Sequence, residues 1–113
     1  MADQPVDIRL PADAKFSVIN ATASGQNTVV AAVTDKRIRV VSYVLTVSAA
    51  AIVQFRDGAT TVIAGGFDLA ANGGISFAGT PAAPAFQTSA TTALTINLSA
   101  VVNARGHLCY IEV

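Results

Sequence analysis

Residues 36–66 read KRIRVVSYVLTVSAAAIVQFRDGATTVIAGG. Their first half is a run of β-branched and aromatic side chains, the types that suit a pleated, half-buried surface. A corner of small residues follows, and then two apolar runs flank Asp57-Gly58. That dipeptide signals a hairpin, because a type I′ turn needs positive φ at both central residues and Asp and Gly tolerate it. A two-residue turn predicts the register: Arg56 opposite Ala59, Phe55 opposite Thr60, Val53 opposite Val62, Ile52 opposite Ile63 and Ala51 opposite Ala64. Phe55, Val53 and Val62 then share one apolar face, while Ile52 and Ile63 lie on the other beside Gln54, Arg56 and Thr61. An apolar pair on the second face predicts cover by another subunit, so Ile52 and Ile63 are interface candidates.

Downstream, Gly65-Gly66 leads through Phe67-Asp68-Leu69 into AANGG, a second tight-turn signal, and then into the short alternating Ile75-Ser76-Phe77. These glycines lack the following helix and the lysine of a phosphate loop, so they are read as turns. Residues 79–84 (GTPAAP) form a proline-bearing loop, and residues 86–89 resume extended structure. TALTINLS at 92–99 alternates, with Leu94, Ile96 and Leu98 inward and Thr95, Asn97 and Ser99 outward. RGHLCYIEV at 105–113 closes the chain as a strand that is apolar on both faces.

Upstream, the parity of Ile38 and Val40 differs from that of Tyr43, Leu45 and Val47, which predicts a β-bulge near Val40-Val41. Arg37 and Arg39 fall on the face opposite Ile38 and Val40, as rim charges or as contacts to an acidic partner. Residues 28–33 read as a strand turned by Thr34-Asp35. KFSVINA at 15–21 alternates Phe16 and Val18 with polar neighbours before the ATASGQN turn cluster. Residues 1–14 carry Pro5 and Pro11 and few large apolar groups, and read as an extended arm that is not a central strand. Within it Val6, Ile8 and Leu10 alternate as a strand would, so the arm is expected to drape over a neighbouring subunit and these three join the interface candidates.

The expectation is therefore an all-β fold with an N-terminal arm over residues 1–14 and one antiparallel β-sandwich domain over 15–113. About eight short strands with turn signals roughly every 8–12 residues mean a sandwich or barrel. The bulged long strand and a terminal strand able to lie centrally favour a jelly-roll arrangement.

The chain has 113 residues, 52% hydrophobic and 12% charged, with seven basic and seven acidic side chains. That charge is about half the usual share for a soluble domain, which suits a component of a larger assembly. Zero net charge offers no field for nucleic acid or an anionic membrane, so neither is an expected partner. No run approaches the roughly 20 apolar residues of a spanning helix. The start, MADQPVDIRLPADAKF, lacks the basic and apolar regions of a secretory signal, so synthesis in a cytoplasm is expected.

Chemistry-bearing residues are sparse. The chain holds one histidine and one cysteine. His107 and Cys109 are two apart and so on one face of a strand, but two ligands do not complete a zinc site. Asp57, Asp68 and Glu112 fall singly, with no sign of a paired acid and base. The expectation is no catalytic residue, no cofactor and no metal.

From residue 28 onward the ordering of the DG hairpin, the LAANGG turn (69–74), a Pro/Phe loop and the closing G-x-L-x-Y-x-E-V at Gly106, Leu108, Tyr110, Glu112 and Val113 resembles small virion proteins of tailed bacteriophages. Among these are head decoration, or cement, proteins. The resemblance implies a structural protein of the capsid surface, a homotrimer whose partner is the major capsid protein. A receptor- or carbohydrate-binding module of a tail or fibre is the alternative; the lack of tryptophan weighs against it, since sugar sites usually stack an aromatic ring on the sugar.

Overall fold

The computed structural model describes residues 13–113, and their regular structure is all β. Nine strands run in order: β1 (Lys15–Ala21), β2 (Gly25–Val30), β3 (Ile38–Val47), β4 (Ala51–Asp57), β5 (Thr61–Leu69), β6 (Gly74–Ala78), β7 (Phe86–Gln87), β8 (Leu94–Leu98) and β9 (Ala104–Glu112). One sheet has the order β1-β9-β3-β6, with β7 pairing β3 beyond the end of β6; the other has the order β2-β8-β4-β5. All pairings are antiparallel, and they are nested: β4 with β5, β3 with β6, β2 with β8, β1 with β9. The chain is thus one long hairpin, with its tip at residues 58–60, rolled until its two halves stack as a jelly-roll sandwich. As the sequence predicts, the closing strand is central, between β1 and β3.

Inward side chains interdigitate to form the core. Ile38, Val40, Tyr43, Leu45 and Leu108 of the larger sheet meet Val53, Phe55, Leu94, Ile96 and Leu98 of the smaller. The bulge expected in the long strand is present: pairing with β9 shifts between Val40 and Ser42, which changes the inward parity from Val40 to Tyr43. Gly106 is required where β9 pairs with β3 opposite Leu45, because a Cβ there would run into the carbonyl oxygen of Val44.

The hairpin departs from its predicted register. Asp57 pairs with Thr61 around a three-residue loop, Arg56 with Val62, Phe55 with Ala64, Val53 with Phe67 and Ile52 with Asp68. Two causes are visible. Only Gly58 takes positive φ, at 69°. Asp57 stays extended because its carboxylate accepts the Ser89 N–H at 3.1 Å and the Ser89 hydroxyl at 2.6 Å. Nine residues of β5 then lie opposite seven of β4, and two bulges absorb the difference. Val62 therefore stands outside beside Arg56, and Ile63, no longer opposite Ile52, packs against the core.

Three smaller differences share one origin, tertiary pairing overriding local signals. β2 begins at Gly25 and ends at Val30, because Gly25–Asn27 are held by Leu98, Asn97 and Ile96. On β1 the inward residues are Ile19 and Ala21, leaving Phe16 and Val18 outside. Thr95, expected outward, is buried, and its hydroxyl donates to the Gly58 carbonyl at 2.6 Å.

An aromatic cluster joins the sheets. Phe55 is fully buried, its ring centroid 5.0 Å from Tyr43 and 4.8 Å from Phe86. Phe55→Ala is expected to cost about 3–5 kcal/mol, a large part of a domain's stability. Phe55→Leu keeps most of the volume and should cost clearly less; equal denaturant midpoints for the two variants would contradict the packing role. Burial also holds the Tyr43 hydroxyl above its ordinary value of 10.0. The folded state keeps a proton that the unfolded chain releases, so this contribution is whole below pH 10.0 and is lost as pH rises further. Denaturant titrations should show an alkaline loss of stability that is smaller in Tyr43→Phe.

Candidate interaction surface

Among the described residues no group of three or more His, Cys, Asp or Glu side chains converges on a point that could hold a metal. His107 lies exposed on β9 directly across from Val18, and Cys109 lies across from Phe16. Asp57 is occupied in bracing the hairpin tip, and Glu112 pairs with Lys15 at 3.4 Å.

Of the proposed interface residues, Ile52 lies on the outer face of the smaller sheet, 44% exposed. Ile63 is turned to the core and does not share that face. The expected pair is replaced by Ile52 and Val62, the latter 43% exposed, on either side of Gln54 and Arg56. The Arg56 guanidinium donates to Gln54 Oε1 at 2.8 and 3.1 Å, which flattens both polar side chains between the two apolar ones. Arg37 is exposed, and its backbone is clamped to Val113 in both directions. Arg39 is half-buried and internally committed: Nε donates to Gln87 Oε1 at 2.7 Å and Nη1 to the Pro81 carbonyl at 3.2 Å, tying the proline loop to β3. Val6, Ile8 and Leu10 lie outside the described residues.

The largest exposed apolar side chains of β1 were not among those candidates. Phe16 is 64% and Val18 74% exposed on the outer face of the larger sheet. The signal was present in KFSVINA, where both parities carry apolar residues: Phe16 and Val18 on one, Ile19 and Ala21 on the other.

Two open clefts flank the end of the sandwich where strands β3, β5 and β8 finish. One, of about 410 Å³, is lined by Ala51, Ile52, Asp68, Leu69, Ala70 and Ser99. The other, of about 320 Å³, is polar, lined by Thr46, Ser48, Asn72, Asn103 and Arg105 around Val47.

Cys109 is buried between Phe16 and Ser42 on the neighbouring strands, and desolvation raises its thiol above the ordinary range. Alkylation near pH 8 is expected to be slower in the folded protein than in the unfolded chain by about a factor of ten or more, read by mass spectrometry. Equal rates would contradict that burial. No protein-family model, curated protein or solved structure matches the chain.

Proposed function

We propose that this protein is a structural virion component, a cement protein that decorates a bacteriophage capsid as a homotrimer and stabilises it by burying surface against its own copies and the major capsid protein. The observation that carries the reading is the outward display of large apolar side chains on both sheets, Phe16 and Val18 on one and Ile52 and Val62 on the other, in a chain with only 12% charged residues. Apolar side chains grouped on an outer face are a feature of association surfaces. Each 1,000 Å² of apolar contact contributes on the order of 25 kcal/mol gross, before the costs of association are subtracted. The resemblance read in the sequence, from the hairpin, the LAANGG turn and the closing strand, is what suggests a phage virion as the assembly.

One observation favours a second reading, a carbohydrate- or receptor-binding module of a tail or fibre. The cleft lined by Thr46, Ser48, Asn72, Asn103 and Arg105 presents hydroxyls, amides and a guanidinium, groups that recognise sugar hydroxyls and carboxylates. Its lining contains no aromatic platform.

Light-scattering mass and co-sedimentation with capsids lacking this protein test the choice. A trimer that sediments with capsids at saturable stoichiometry is expected. A protein that ignores capsids and is retained on cell-surface glycans, with retention lost in Arg105→Ala, would replace the cement reading with the second one.

A further inference from the structure

Four strands bound the two sheets, and three of them carry features that discourage further pairing. β2 has a register shift between Thr28 and Val30. β5 has two such shifts and the Gly65-Gly66 pair. β6 has five residues and shares its side of β3 with the two-residue β7. These are the means by which sheets protect their edges.

β1 has none of them. Its seven residues pair with β9 in unbroken register from Lys15↔Tyr110 to Ala21↔Ala104. The strand contains no proline or glycine, and its only charge, Lys15, sits at its first position and is matched by Glu112 at 3.4 Å. Among the described residues no strand is backbone-paired to its other side, where β2 of the facing sheet approaches and the Ser17 hydroxyl donates to the Val29 carbonyl at 3.2 Å. Beside that open edge the outer face shows Phe16 and Val18. An edge this regular and apolar is a template for one more strand, with backbone groups supplying the ladder and alternate side chains the contact.

We propose that the outer edge of β1 accepts residues 1–12 of a neighbouring copy as an added strand, an inference that rests on the homo-oligomeric reading above. The length and position of that segment support the choice. It leads into β1 through Asp13 and Ala14, so it starts beside an acceptor edge in every copy. Twelve residues reach at most about 40 Å when extended, enough to cross from one sandwich to the next. Val6, Ile8 and Leu10 supply the period-two apolar pattern that would continue the Phe16 and Val18 face. Donor and acceptor are different surfaces, a heterologous contact that closes into a ring, a trimer when each copy turns by a third of a circle, and otherwise continues as a filament.

The test uses the full chain, a chain lacking residues 1–12, and Phe16→Lys/Val18→Lys, whose altered positions are exposed enough to leave the fold intact. Mass by light scattering and amide hydrogen exchange are measured for each without capsids, so the outcome is independent of whether capsids are bound. The full chain should be oligomeric, with alternate amides of residues 16–20 exchanging about tenfold more slowly than in the truncated chain. Both altered proteins should be monomeric. A monomeric full chain overturns the proposal, whether its β1 amides are protected, which means that the segment folds onto its own strand, or unprotected. So does an oligomer that survives removal of residues 1–12, which would place another segment or β1 itself at the edge. An oligomer unaffected by the lysines, with fast exchange in β1, overturns it as well.

Discussion

The packing of Phe55 against Tyr43 and Phe86 is the contact on which the rest of the molecule depends. The three rings come from β4, β3 and β7, so one cluster fixes the separation of the two sheets and holds the short β7 against the long strand. Because Phe55 is seated, Asp57 two residues on reaches Ser89, and the hairpin tip is drawn over the end of β8. Thr95 and Thr88 complete that end by bonding backbone groups which the strands leave unpaired: Thr95 takes the Gly58 carbonyl and Thr88 the Ile38 N–H. No buried side-chain nitrogen or oxygen among the described residues lacks a partner. Polar satisfaction and apolar packing therefore converge on one arrangement.

Much of this architecture was legible in the chain, and what was illegible has physical reasons. The extents of β1 and β4, the bulge at Val40-Val41 and the central place of the closing strand followed from alternation and parity. The hairpin register did not, because Asp57-Gly58 taken as an isolated dipeptide signals a two-residue turn, whereas the carboxylate is committed to Ser89, thirty-two positions away. That tertiary bond moved the turn, and the surplus residues of β5 then moved Ile63 from the outer face to the core. The orientation of β1 failed differently. KFSVINA is apolar on both parities, and only its pairing with β9, Ser17 beside Leu108 and Phe16 beside Cys109, decides which set is inward.

The surface was read less completely than the core. Arg39 looks like a rim charge in sequence, but it is spent on Gln87 and the Pro81 carbonyl, a role that depends on a loop more than forty positions away. Ile52 kept its outward place because β4 is regular along its length. Exposed apolar residues of this kind carry no motif; they become visible only when a fold shows which of two apolar faces has a partner within the chain.

The position of β9 has a consequence for how the protein is made. Residues 104–112 form the middle of the larger sheet, and β1 meets the rest of that sheet only through them. Until they leave the ribosome, β1 has nothing to pair with and the inner faces of β3 and β4 lack part of their cover. Closure of the larger sheet therefore waits for residues 104–112, a slow, non-local step rather than a progressive one. Until residues 104–112 are available, the edges of β1 and β3 that they cover are open to mispairing.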